Sequence, residues 1–84
     1  MKKRASLEGI YQNPRNIHFQ ELVDLAEAIG FQFIRQKGSH KIFKHPKVNE
    51  LLNLQDFRGK AKPYQVRQFL KLVEKYKLDS ENNS

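Results

Sequence analysis

Gly30-Phe-Gln-Phe-Ile-Arg-Gln-Lys-Gly-Ser-His-Lys-Ile-Phe-Lys-His-Pro46 is the stretch that decides the fold. Two apolar-aromatic runs of strand length flank Lys37-Gly38-Ser39, and so short a glycine-containing interval is a hairpin signal. The stretch reads as strand, tight turn, strand. His40 opens the second strand at the mouth of the hairpin, among Arg35, Lys37, Lys41 and Lys44. An imidazole with an unperturbed pKa of about 6.5 can take and give a proton near neutral pH. The surrounding cations suit a polyanion, so the arrangement is compatible with cutting RNA without a metal. The alternative for His40 is a turn residue whose ring merely hydrogen-bonds the hairpin.

Upstream, Phe19, Leu22, Val23, Ala26 and Ile29 recur at the 3, 4 spacing of one apolar helical stripe. His18 as N-cap places Glu21 at the capping-box position, and Ile17 can staple onto Leu22. Gly30 is the natural cap at the far end. A shorter helix is predicted over residues 3–12 from Leu7, Ile10 and Tyr11, weakened by about 1 kcal/mol at Gly9. Asn13-Pro14 ends it, because the residue before a proline is pushed out of helical dihedrals.

Three strands are predicted, Phe31 to Gln36, His40 to His45 and Leu51 to Phe57, with Phe31 and Phe33 on one face by the period of two. Arg58-Gly-Lys-Ala-Lys62 reads as a basic loop, and Pro63 fits the first turn of a last helix. Val66, Phe69, Leu70, Val73 and Tyr76 form the buried stripe of that helix. Two helices over one face of a three-stranded antiparallel sheet give an α+β two-layer domain, with an extra helix at the N-terminus. Residues 1–78 are expected to form one domain, and the polar stretch 79–84 a frayed tail.

Composition narrows the function classes. The 84 residues carry 16 Lys and Arg against 9 Asp and Glu, a net charge of +7. Between Phe31 and Val73 only Glu50 and Asp56 are acidic, against ten basic residues, including Arg58, Lys60 and Lys62. A field so one-sided favours nucleic acid or an acidic protein partner. Without cysteine there is neither a disulfide framework nor a thiolate metal site. No apolar run approaches the 18 or so residues of a membrane span, and Lys2-Lys3-Arg4 lacks the apolar segment of a signal peptide. A cytoplasmic location without membrane contact is therefore expected.

The αβββα order resembles the double-stranded-RNA-binding-domain fold. The residues Gly30-Phe31, Arg35-Gln36-Lys37-Gly38-Ser39-His40, Phe43 and His45-Pro46 resemble, more narrowly, the HicA family of bacterial toxins. The run from Gly59 to Gln68 is similar to a subgroup of that family, and the likeness extends over about residues 17–78. The resemblance implies an mRNA interferase of a type II toxin–antitoxin system, a small ribonuclease held in check by a HicB antitoxin. It also matches the family's catalytic histidine to His40. Many members carry Pro-x-His on the third strand, where this chain has Asn53-Leu54-Gln55-Asp56, so no role of that second histidine carries over.

The chemistry is also bounded by spacing. On a regular strand His40 and His45 point to opposite faces and lie about 16 Å apart, too far to act as an acid–base pair or to share a metal. No cofactor is expected. RNA supplies its own nucleophile, the 2′-hydroxyl, so one base is the minimum requirement. His40 is the candidate base, with Arg35, Lys37, Lys41, Lys44, Lys60 and Lys62 as RNA-binding cations. Of these, Lys37 and Lys41, beside His40 in sequence, and Lys60 or Lys62, from the loop, are the candidates to balance charge on the transition state. His45, before Pro46, is assigned a structural or antitoxin-facing role. Phe31, Phe33, Phe43 and Phe69 are expected in the core, and Phe57 and Tyr64 are the candidates for base stacking. Two other functions fit the same composition: a non-catalytic RNA-binding module, and an interaction domain that docks an acidic protein.

Overall fold

The computed structural model describes residues 7–78, in the order α1 (Leu7–Gln12), α2 (Phe19–Ala28), β1 (Gln32–Lys37), β2 (His40–Lys44), β3 (Leu52–Phe57), β4 (Lys60–Ala61) and α3 (Pro63–Tyr76). The first residues of the expected N-terminal helix and the expected tail at 79–84 lie outside the described residues.

Helix α2 starts from an extended His18, whose backbone N–H donates to Glu21 Oε1 at 3.2 Å. It buries Phe19, Leu22, Val23 and Ala26, the predicted stripe. Its exit is a Schellman motif: Gly30 N–H donates to Glu27 O and Phe31 N–H to Ala26 O, at 3.1 and 3.0 Å. Gly30 adopts φ +111, and a Cβ there would lie 2.6 Å from His45 Nε2. Glycine is required on both counts. Helix α3 begins with Pro63 in its first turn, where the missing N–H is no loss. It turns Val66, Phe69, Leu70, Leu72 and Val73 inward.

The strands form one antiparallel sheet in the order β1-β2-β3-β4. Both α2 and α3 pack on the same side of it, over Phe43, Leu52 and Leu54, each fully buried. The other side carries no helix among the described residues. The predicted α+β two-layer architecture holds, with two differences in the sheet.

First, the basic loop contains a fourth strand. Phe57 pairs with Lys60 across Arg58-Gly59, whose φ values of 53° and 84° are the two positive angles a type I′ hairpin needs. Asp56 Oδ1 accepts the Gly59 N–H at 2.7 Å and fixes the turn. On its outer side β4 meets the entry to α2, where Ala61 N–H donates to Ile17 O and Phe19 N–H to Gly59 O. A two-residue strand is too short to show an alternation in the sequence.

Second, Phe33 is not in the core. Its side chain is on the helix side, paired with Phe43, but β1 is the sheet edge and every residue in it is exposed. Alternation assigns a side chain to a face; whether a helix reaches far enough to cover it is a separate matter. The Phe33 ring is 49% exposed and rests edge-on against Phe43, 5.8 Å between centroids. The pairing slips between Phe33 and Arg35, a bulge of the kind that discourages further strands from adding to an edge.

Candidate active site

The hairpin register decides which side chains share His40's surface. Lys37 is paired with His40, Arg35 with Ile42 and Gln32 with Lys44 across β1 and β2. On the other flank His40 is paired with Gln55 and Ile42 with Asn53. Residues directly opposite project to the same side. Hence Lys37, Arg35, His40, Ile42, Lys44, Asn53 and Gln55 all stand on the side away from the helices. Two positions beyond Gln55, Phe57 joins them, with Lys60 opposite it on β4. The result is an uncovered sheet face with one histidine, one exposed aromatic and several cations. Arg35, Lys37, Lys44 and Lys60 form no ion pair among the described residues.

His40 begins β2 directly after the turn at Gly38-Ser39, where Gly38 takes φ +60 as the first position of a II′ turn requires. Ser39 is locked by its carbonyl, which accepts the Asp56 N–H at 2.9 Å. The His40 ring is half-buried, and its Nδ1 donates to Asn53 Oδ1 at 2.9 Å. An amide oxygen only accepts, so this bond calls for a proton on Nδ1, and in the neutral ring the lone pair then belongs to Nε2. That is the tautomer a general base uses.

His45 has a different environment. Only 8% exposed, it receives the Lys47 N–H on Nδ1 at 3.0 Å and donates from Nε2 to Ile29 O at 2.9 Å. Its ring also stands edge-on to Phe31, at 5.1 Å. Both nitrogens are engaged in tying the end of β2 to the exit of α2. Of the two roles assigned to His45, the structure places it in the structural one.

The predicted cations separate. Lys37 lies directly across from His40, Arg35 is one pair further along, and Lys44 stands on the same face four residues, or about 13 Å, away. Lys60 lies on that face beside Phe57. Lys41 does not belong with them. The alternation of β2 turns it to the helix side, with Nζ 5.7 Å from the Phe19 ring centroid and 6.0 Å from that of Phe33. Its closeness to His40 in sequence is what puts it on the opposite side of the sheet. Lys62, the N-cap of α3, places Nζ 4.9 Å from the Phe57 centroid, and Arg58 approaches the same ring at 5.6 Å. Phe57 and Tyr64 are about half exposed, as base-stacking residues would be.

Residues 19–74 match the family model described as the HicA toxin of bacterial toxin–antitoxin systems. The chain belongs to the HicA toxin family. It is therefore the toxin of a toxin–antitoxin pair, and membership implies an antitoxin as its partner. Comparison with curated proteins and with solved structures finds no match. The matched span runs from the first residue of α2 to near the end of α3, so this toxin's whole sheet, α2 and most of α3 lie within it. No described helix is long and apolar enough to cross a membrane.

Two polar residues that hold this arrangement, Asn53 on the open face and Gln65 on α3, carry no signal in the sequence. Asn53 holds His40, and Gln65 holds the backbone around Asn53. The segment Asn53-Leu54-Gln55-Asp56 stood out only as lacking a histidine. A pairing register is needed to bring Asn53 to His40, and sequence alternation alone does not provide one.

Proposed function

We propose that this toxin is an endoribonuclease that cleaves mRNA on the open face of its sheet, with His40 as the general base. The observation that carries the reading is the His40 ring: Nδ1 engaged by Asn53, Nε2 available, on a face lined with cations that form no ion pair among the described residues. RNA is the substrate class because cations bind its phosphates and the reaction needs its 2′-hydroxyl. Nε2 takes the 2′-hydroxyl proton as O2′ attacks the adjacent phosphorus. The P–O5′ bond breaks, and the departing O5′ takes up a proton from water. The products are a 2′,3′-cyclic phosphate and a 5′-hydroxyl. Lys37, directly across the hairpin from His40, balances the charge that builds on the phosphoryl oxygens. Every group this chemistry requires is a side chain, a water molecule or part of the RNA, so the proposal is metal-independent.

Arg35, Lys44, Lys60 and Lys62 hold the strand on either side, and Phe57 offers its face to a base. A HicB-like antitoxin would inhibit by covering His40 and these cations with acidic or polar groups. The exposed, cationic face supports direct blocking, since substrate and inhibitor would require the same surface.

The test is cleavage of one RNA by the purified wild-type protein, alongside the same oligonucleotide with 2′-deoxy residues at the scissile positions. Cyclic-phosphate products from the first and none from the second are expected. Binding without any cleavage would reduce the protein to an RNA-binding module. Cleavage of the deoxy-substituted strand at an equal rate would rule out 2′-hydroxyl attack.

A further inference from the structure

His40's orientation depends on a residue outside its own strand. Strand β3 has β2 on one side, but on the other it pairs with β4 only through Asp56 and Phe57. The Asn53 carbonyl and the Gln55 N–H therefore have no strand partner there. The Gln65 amide supplies both bonds: Nε2 donates to Asn53 O at 3.1 Å, and Oε1 accepts the Gln55 N–H at 2.8 Å. Gln65 is 5% exposed, so this amide is a fixed substitute for the missing strand residue. The backbone on both sides of Leu54 is held, and the Asn53 side chain leaves it toward His40.

Resting on the reading of His40 as base, we propose that Asn53 is a positioning residue that selects the His40 tautomer. A neutral imidazole can carry its proton on either nitrogen, and the bond made by one nitrogen decides the state of the other. With the proton on Nε2 the ring has no lone pair to offer a substrate approaching the open face. The Asn53 oxygen, 2.9 Å from Nδ1, favours the opposite form. Asn53 is exposed and paired with the half-buried Ile42, so replacing it leaves the core untouched. No other side chain of the described residues hydrogen-bonds the His40 ring.

The experiment compares wild type, Asn53→Leu and Asn53→Asp by long-range ¹H–¹⁵N NMR of the His40 ring and by cleavage of one RNA. Wild type is expected to carry the neutral-ring proton on Nδ1. Asn53→Leu is expected to move the ring toward the Nε2-protonated form. Its cleavage should slow by about 10–100-fold, the size of loss seen when the hydrogen-bond partner that orients a metal-binding histidine is removed, with RNA affinity unchanged. Asn53→Asp keeps an acceptor at Nδ1 and restores the tautomer. Its added negative charge favours the imidazolium, so the acid limb of its pH–rate profile moves to higher pH. An Asn53→Leu protein with an unaltered tautomer overturns the proposal, as does an altered tautomer with wild-type cleavage. If the wild type cleaves no RNA, His40 is not a base; the tautomer comparison then decides the part of Asn53 by itself.

Discussion

His40 and His45 lie on one strand and its immediate continuation, five residues apart, and chemically they are the same side chain. At His45 both ring nitrogens are engaged by backbone groups and the ring is enclosed by Gly30, Phe31 and the end of α2. At His40 one nitrogen is engaged by Asn53, and the ring stands on a face that no helix of the described residues covers. The difference comes from strand parity together with the one-sided placement of α2 and α3. What separates the structural histidine from the proposed base here is the number of its nitrogens that the fold leaves free.

The largest effect on stability falls on the structural side of that comparison. His45→Ala removes the hydrogen bonds its ring makes with the Ile29 carbonyl and the Lys47 N–H and opens a space beside Phe31. A loss of about 2–3 kcal/mol is expected, or a fall of about 10–20 °C in Tm for a domain of this size. Cleavage per folded molecule should stay near wild type. Thermal unfolding followed by circular dichroism, paired with an RNA assay, tests both halves; a Tm that does not move contradicts the structural role.

Gly30→Ala strikes the same corner from the other side. A side chain at φ +111 is strained and its Cβ meets His45 Nε2, for an expected loss of about 1–2 kcal/mol. In a His45→Ala background the clash disappears and only the backbone strain remains. A double-mutant cycle should therefore return a coupling between the two sites. Strict additivity would mean that the two do not touch.

The corner was partly legible in the sequence. The 3, 4 stripe of α2 and a glycine directly after it define a helix and its exit, because both signals are local. The engagement of His45 with Ile29 is not local, since it depends on how β2 returns past α2. The errors have the same origin. Alternation puts Phe33 on the core face of β1 without saying where the cover of that face ends. Sequence adjacency groups Lys41 with His40, although the same alternation turns the two to opposite faces. Strand β4 was hidden in a basic loop, its I′ turn formed by Arg58-Gly59 in place of the commoner Asn-Gly. Asn53 and Gln65 became visible only once the strand register was known.

On the open face, Lys37→Gln should weaken RNA binding across sequences and lower the salt slope of log affinity by about 1, as one phosphate contact is lost. Lys41→Gln, on the helix side, should leave the slope unchanged. Filter binding at several salt concentrations distinguishes them. Equal effects from the two lysines would contradict the assignment of faces.

The smallest effect is expected far from both histidines. Glu50 accepts from Tyr76 Oη at 2.7 Å and from Lys75 Nζ at 3.1 Å, fastening the β2–β3 connection to α3. The Tyr76 hydrogen bond, followed by that of Lys75, holds the Glu50 carboxyl below its ordinary value of 4.5. A carboxylate whose pKa is lowered by folding stabilises above its unfolded pKa, and the contribution is lost as pH falls through the folded one. Glu50→Gln should therefore lower stability slightly at pH 7, with the difference from wild type closing below about pH 4.5. Because the group is on the surface, solvent keeps the effect small. A difference that grows on acidification would contradict the sign.

The central claim is that His40 performs chemistry and does not support the fold, and His40→Ala tests it most directly when rate and stability are read on the same preparation. Cleavage of one RNA should fall by about 10²–10⁴, while stability changes by no more than about 0.5 kcal/mol and RNA affinity largely survives. A folded His40→Ala protein that cleaves at a near-wild-type rate would contradict the account.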